Sequence, residues 1–255
     1  MSPDTELDLS GLRPEIAGAV GPFFTEIIEG AGGQIHSLYV VGSALTEDYH
    51  AGRSDINSIV VLKKMDMCFL KFLSKMGKRH SKKKISAPLV MTPGYIEDSI
   101  DVFPLEFLNF RLIHKRVHGA DLLGGLEISR HDIRYQCERE LKVRLIGLRQ
   151  GYISSMGGLE ALNEGIFRSV KTYIPLFRGM IYMLGAEPPV ARQDVLSKLS
   201  GLTGVDTSMF SKVHAAHMES GRKRKKFSHE ELETAFEHFY EATERLGDIA
   251  DETKI

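Results

Sequence analysis

The stretch that decides the fold is Leu38-Tyr39-Val40-Val41-Gly42-Ser43, resumed at Gly52-Arg53-Ser54-Asp55-Ile56-Asn57 and running on through Ser58 to Leu62. Two short runs rich in β-branched residues are separated by about a dozen mostly polar positions, which predicts two strands joined by a turn-rich loop. The first strand ends in Gly-Ser and the second opens on an acid. Glycine lets backbone approach a phosphate closely, and the neighbouring serine adds a hydroxyl and an amide donor. An aspartate opening the next strand can hold Mg²⁺ against phosphate oxygens. Positions 55 and 57 fall on one face of a strand, so Asp55 and Asn57 are placed to share one ion.

Around this pair the chain alternates between helix and strand. Leu12, Ile16, Val20, Phe23, Phe24 and Ile27 recur at helical spacing, with Pro14 suited to the first turn and Gly30 to Gly33 closing it. Met65 to about Met76 reads as a helix that runs into the basic tract Lys78 to Lys84. Strands are expected at Leu89–Met91 and Val102–Leu108, with a Pro93-Gly94 turn between them. This alternation predicts an α/β unit over residues 1–126.

The character changes in residues 127–255. Ser129 suits the cap of a helix carrying Ile133, Cys137, Leu141, Leu145, Leu148 and Tyr152. After Gly157-Gly158 a second helix aligns Val170, Tyr173, Phe177 and Ile181, and Pro175 inside it predicts a kink. Shorter helices are expected near 191–200 and 207–219, and Ser228 to Glu231 has the spacing of a capping box. The fold class is therefore α+β: a mixed-sheet domain followed by an all-α bundle.

The segment from Leu38 to Asn57 resembles the nucleotidyltransferase superfamily, which includes the aminoglycoside adenylyltransferases and the minimal nucleotidyltransferases. Gly42, Ser43 and Asp55 match its motif by type and spacing, Gly52-Arg53-Ser54 looks like its loop, and the resemblance covers roughly residues 36–110. It implies nucleotide contacts from Gly42, Ser43, Arg53 and Ser54, and Mg²⁺ ligands at Asp55 and Asn57. It also implies a third carboxylate on a later strand, acting as ligand or base. Glu106 is the first choice and Asp101 the competitor. The implied activity is transfer of AMP from ATP to a hydroxyl of a small-molecule acceptor. One residue departs from the pattern: Asn57 stands where the family has a second carboxylate, and an amide oxygen coordinates Mg²⁺ without negative charge. The alternative is a catalytically weakened or inactive nucleotide-binding module that acts through a partner.

Composition narrows the rest. The 255 residues carry a formal net charge of -1, which disfavours a nucleic-acid-coating protein. The basic tracts at 78–84 and 222–226 are the features that point the other way. Cys68 and Cys137 form no metal-binding pair pattern, and the pairs His114/His118 and His214/His217 lack a third ligand nearby. The acidic start MSPDTELDLS is unlike a secretory leader, and no apolar run is long enough for a membrane helix. The expectation is a cytoplasmic protein.

Overall fold

A computed structural model describes residues 6–31, 33–80, 83–156, 158–219 and 228–255. The chain divides into two compact units, one of residues 1–102 and 107–127, the other of 103–106 and 128–255. The tract 222–226 lies outside the described residues, as do Ser81 and Lys82 of the first basic tract.

In the first unit, α1 (Pro14–Ala31) precedes β1 (Ile35–Val41), β2 (Asn57–Leu62), α2 (Met67–His80) and β3 (Leu89–Met91). Then come α3 (Pro93–Glu97), α4 (Pro104–Leu112), whose first three residues are counted with the second unit, and β4 (His114–Gly119). Among the described residues the strands form one mixed sheet in the order β3-β2-β1-β4, with β2 and β3 parallel and the other neighbours antiparallel. One sheet face is packed through Leu38, Val40, Ile56, Val60, Leu62 and Val117 against Ile16, Val20, Phe23, Phe24 and Ile27 of α1. These are the α1 residues whose helical spacing gave the element away. The outer edge of β4 takes one ladder-like bond from the N-terminal segment, Asp8 N–H to Val117 O at 2.8 Å.

Two expectations fail in this unit. Val102–Leu108 is not a strand. Its second part opens α4, where Pro104 occupies the first turn and Leu105, Phe107 and Leu108 are buried at helical spacing. The last strand is instead β4, whose Lys115, Arg116 and His118 gave no apolar signal because β4 lies at the sheet's edge. The Pro93-Gly94 turn is a one-turn helix capped by Thr92, whose side chain accepts from Tyr95 N–H.

The second unit holds α5 (Arg130–Ser155), α6 (Leu159–Met183), α7 (Arg192–Thr203), α8 (Ser208–Glu219) and α9 (His229–Glu252). Ser129 caps α5, and Ser228 with Glu231 closes the capping box of α9 in both directions. The helix α6 continues through Pro175. The core centres on Tyr173, Phe177, Phe210 and Phe239, whose rings meet at 4.3 to 6.0 Å. The Tyr173 hydroxyl finds Thr243 Oγ1 at 2.6 Å, which satisfies a polar group inside that cluster.

Candidate functional site

The candidate site is the end of the sheet where β1 finishes. Val41 is paired with Asn57 of β2 on one side and with His114 of β4 on the other, so three strands meet there at one level. Gly42 then leaves the ladder with φ +75°, a left-handed conformation that glycine adopts without strain. Its N–H donates to Ile113 O at 3.1 Å, and Gly42–Leu45 makes one 3₁₀ turn. The glycine is thus required by backbone direction, and its amide is committed within the protein.

The loop from Ser43 to Asp55 is held by its own bonds. Thr46 donates to Ser43 O from both N–H (3.0 Å) and Oγ1 (3.2 Å), and Asp48 N–H reaches Thr46 Oγ1 at 3.3 Å. Arg53 and Ser54 both donate their amides to His50 O, at 3.1 and 2.9 Å, while Ser54 Oγ accepts from His50 N–H at 3.1 Å. The Ser54 hydroxyl therefore serves the turn. Arg13, just before α1, ties this loop down by donating to Thr46 O at 2.7 Å and Tyr49 O at 3.4 Å. Its guanidinium also lies 5.7 Å from the centre of the Tyr49 ring.

Ser43, Asp55 and Asn57 are exposed, whereas Ile56 and Ser58 between and beside them are buried. The alternation sets Asp55 and Asn57 on the same open side of the sheet's end. A Cβ built on Gly42 would lie 3.9 Å from Asn57 Nδ2, so the Asn57 amide stands beside the glycine of the opposite half of the motif.

Glu106 does not join them from a strand. It sits in the first turn of α4, is counted with the second unit, and accepts a 2.8 Å bond from Gln136 Nε2. The Gln136 Oε1 accepts the Leu105 N–H at 2.8 Å, so this side chain ties down the start of α4. Asp101, expected at a strand's edge, is an exposed turn residue. The four strands read IHSLYVV, NSIVVL, LVM and HKRVHG, and none contains Asp or Glu. Among the described residues, no three His, Cys, Asp or Glu side chains gather as a metal site.

Three residues shape this corner in ways the sequence did not signal: Arg13, Tyr39, which read only as part of an apolar strand, and His114, which read only as half of a His114/His118 pair. Tyr39 is fully buried, donates its hydroxyl to Ala120 O at 2.8 Å and accepts Leu122 N–H at 2.7 Å, and burial raises its pKa. The His114 ring stands edge-on to it at 5.8 Å. His114 Nδ1 lies 2.8 Å from Phe110 O, and Nε2 lies 3.3 Å from Asp121. Burial pulls the Asp121 pKa upward. The Gly124 amide, His114 and the Leu123 amide outweigh it, so the carboxyl ends below its ordinary value. This bracket fixes the segment whose Ile113 carbonyl receives the Gly42 amide. On strand β4, His114 and His118 stand four residues apart along an extended backbone, too far to grip one ion.

No known protein family matches the chain, and no curated protein sequence matches it. A solved structure, spectinomycin adenyltransferase AAD(9) from Enterococcus faecialis with ATP and spectinomycin, aligns over 90% of this chain and 98% of that one. The identity is 10% and the TM-score 0.44. No described helix is long and apolar enough to cross a membrane.

Proposed function

We infer that this chain is a nucleotidyltransferase-like protein whose Gly42–Asn57 corner binds a nucleoside triphosphate, with ATP the assigned nucleotide, and its Mg²⁺. The observation that carries the reading is the Asn57 amide standing beside Gly42, with Asp55 on the same exposed side. Ser43 offers its hydroxyl to the phosphates, and the exposed Arg53 of the adjoining turn adds a cation. Mg²⁺ is commonly held by one or two carboxylates plus substrate phosphates and waters. One carboxylate and one amide oxygen fit an ion that arrives with the nucleotide, and they fit a permanently held ion poorly. Such an ion neutralises charge on the triphosphate.

The chemistry assigned to the corner is attack by a small-molecule hydroxyl on the α-phosphorus, with release of pyrophosphate. Positioning and charge neutralisation would supply most of the rate. Two features hold that rate down: Asn57 carries no charge, and the strands offer no further carboxylate to take the acceptor's proton. A role for Glu106 as ligand or base would have to come from the first turn of α4 and not from a strand, with its carboxylate already accepting a bond from Gln136. Nucleotide binding with slow transfer is therefore the reading adopted over an efficient enzyme.

Titration calorimetry with ATP and Mg²⁺ tests it. Wild type should bind in a metal-dependent manner, Asp55→Ala should lose at least about tenfold in affinity, about 1.4 kcal/mol, and Asn57→Asp should bind the metal more tightly and release pyrophosphate faster. Binding that ignores both metal and Asp55→Ala would sink the proposal.

A further inference from the structure

Among the described residues, the second half of α5 has an outer side that stays exposed. Its last buried residue is Leu141, and none of the fifteen positions from Lys142 to Met156 is buried, although seven of them are apolar side chains larger than alanine. The inner side is accounted for. Arg144 donates to Thr172 Oγ1 and O at 2.6 and 3.0 Å, Arg149 Nε meets the Tyr240 hydroxyl at 3.1 Å, and the Tyr152 ring lies 4.7 Å from Phe236. The outer side presents Val143, Ile146, Gln150 and Ile153, with Val143, Ile146 and Ile153 at 57%, 54% and 74% exposure.

Steps of three, four and three residues make this a heptad seam, narrow and with one polar position, as on helices that pair with another helix. The row flanking it on one side holds Lys142 and Arg149, seven residues apart and each more than half exposed. The stretch 142–156 contains three cations and no carboxylate. The cations do touch acids of their own chain: Lys142 meets Glu138, and Arg149 lies 3.9 Å from Glu244. Both are surface pairs whose cations stay more than half exposed, and such pairs are weak enough for Lys142 and Arg149 to meet a carboxylate across the seam as well.

The charge pattern selects the occupant. An antiparallel second copy would set the Lys142 and Arg149 rows against each other, and a parallel copy would set them against Gly147 and Ser154. Neither arrangement supplies an opposite charge. We propose that the outer face of α5, from Val143 to Ile153, docks an amphipathic helix of another protein whose apolar seam is flanked by acidic residues. The inference is independent of the nucleotide reading.

The test uses the full chain and a synthetic helical peptide of about three heptads, with leucine or isoleucine at the seam and glutamate beside it. A control peptide carries lysine in place of the glutamates. The acidic peptide should bind saturably by fluorescence anisotropy and the basic one should not. Ile146→Glu and Val143→Glu should each weaken binding by at least tenfold while leaving the circular dichroism and unfolding midpoint unchanged, because both positions are exposed. Three results overturn the proposal: equal or absent binding of the two peptides, a wild-type dimer in light scattering that Ile146→Glu dissociates, or association only with anionic phosphatidylserine vesicles.

Discussion

Gly42 and Gly119 share the same unusual backbone conformation, φ +75° and +76°, and differ sharply in what surrounds them. A Cβ at Gly42 meets only Asn57 Nδ2, at 3.9 Å, an ordinary contact. At Gly119, where β4 ends against the start of β1, it would lie 1.9 Å from His36 O and 2.9 Å from Ser37 Cα. Left-handed strain for an L-residue is about 1–2 kcal/mol. Reduced freedom of the unfolded chain offsets about 0.4–1 kcal/mol of that for a glycine-to-alanine change. Gly42→Ala should therefore cost roughly 1 kcal/mol. Gly119→Ala carries the same terms plus an overpacking cost of about 1–3 kcal/mol, because backbone rather than a mobile side chain must yield. Its total is about 2–4 kcal/mol, enough to split the β1–β4 ladder. Gly42→Asn should cost less than Gly42→Ala, since asparagine tolerates the left-handed region better. Urea unfolding of the three variants, followed by hydrogen exchange of β1 amides, measures the series. Equal losses at 42 and 119 would refute the reasoning, because they would mean that dihedral strain alone sets the cost.

Three further outcomes are expected. The Lys115 ammonium, bonded to Asp8 at 2.6 Å, and then Ser10 hold the Asp8 carboxyl at about 2, against a usual value of 3.8; in Lys115→Met its NMR titration midpoint should rise. Because the folded value is the depressed one, this contact adds stability above about pH 4 and loses it progressively as pH falls toward about 2, and Lys115→Met should flatten the pH dependence in that window. In the helical unit, Tyr173→Phe should cost about 1 kcal/mol, since Thr243 Oγ1 keeps its 2.6 Å bond to Phe239 O, whereas Thr243→Val strands a buried phenol and should cost more, up to about 3 kcal/mol, by thermal unfolding. Arg13→Met should leave the sheet folded but loosen the Thr46–Tyr49 loop, seen as faster amide exchange at Thr46 to Ser54 and weaker ATP binding, and an unchanged exchange pattern would remove Arg13 from the site's support.

Several elements were legible without coordinates because their cause is local. Pro14 and the spacing of Ile16, Val20 and Phe23 fix α1. Ser129 caps α5, and Ser228 with Glu231 caps α9, through bonds that span three residues. The Gly42–Asn57 corner was readable for the same reason: a left-handed glycine ends one strand, and the alternation of exposed Asp55 and Asn57 with buried Ile56 and Ser58 belongs to the strand itself.

What lay beyond the sequence were choices made by distant partners. The run from Pro104 to Leu108 suits strand or helix by composition, and burial of Leu105, Phe107 and Leu108 at helical spacing decides for helix. The strand β4 exists because β1 pairs with it, and its charged residues are tolerated because that strand lies at the edge. Arg13 reaches Thr46 and Tyr39 reaches Ala120 across 33 and 81 positions. The sequence by itself determined α1, the caps of α5 and α9 and the alternation of exposed and buried residues where β2 opens, each set by residues within a few positions of one another. The tertiary structure alone decided which strand closes the sheet, where Glu106 sits and which face of α5 stays open, because those outcomes depend on contacts that form only once the chain has folded.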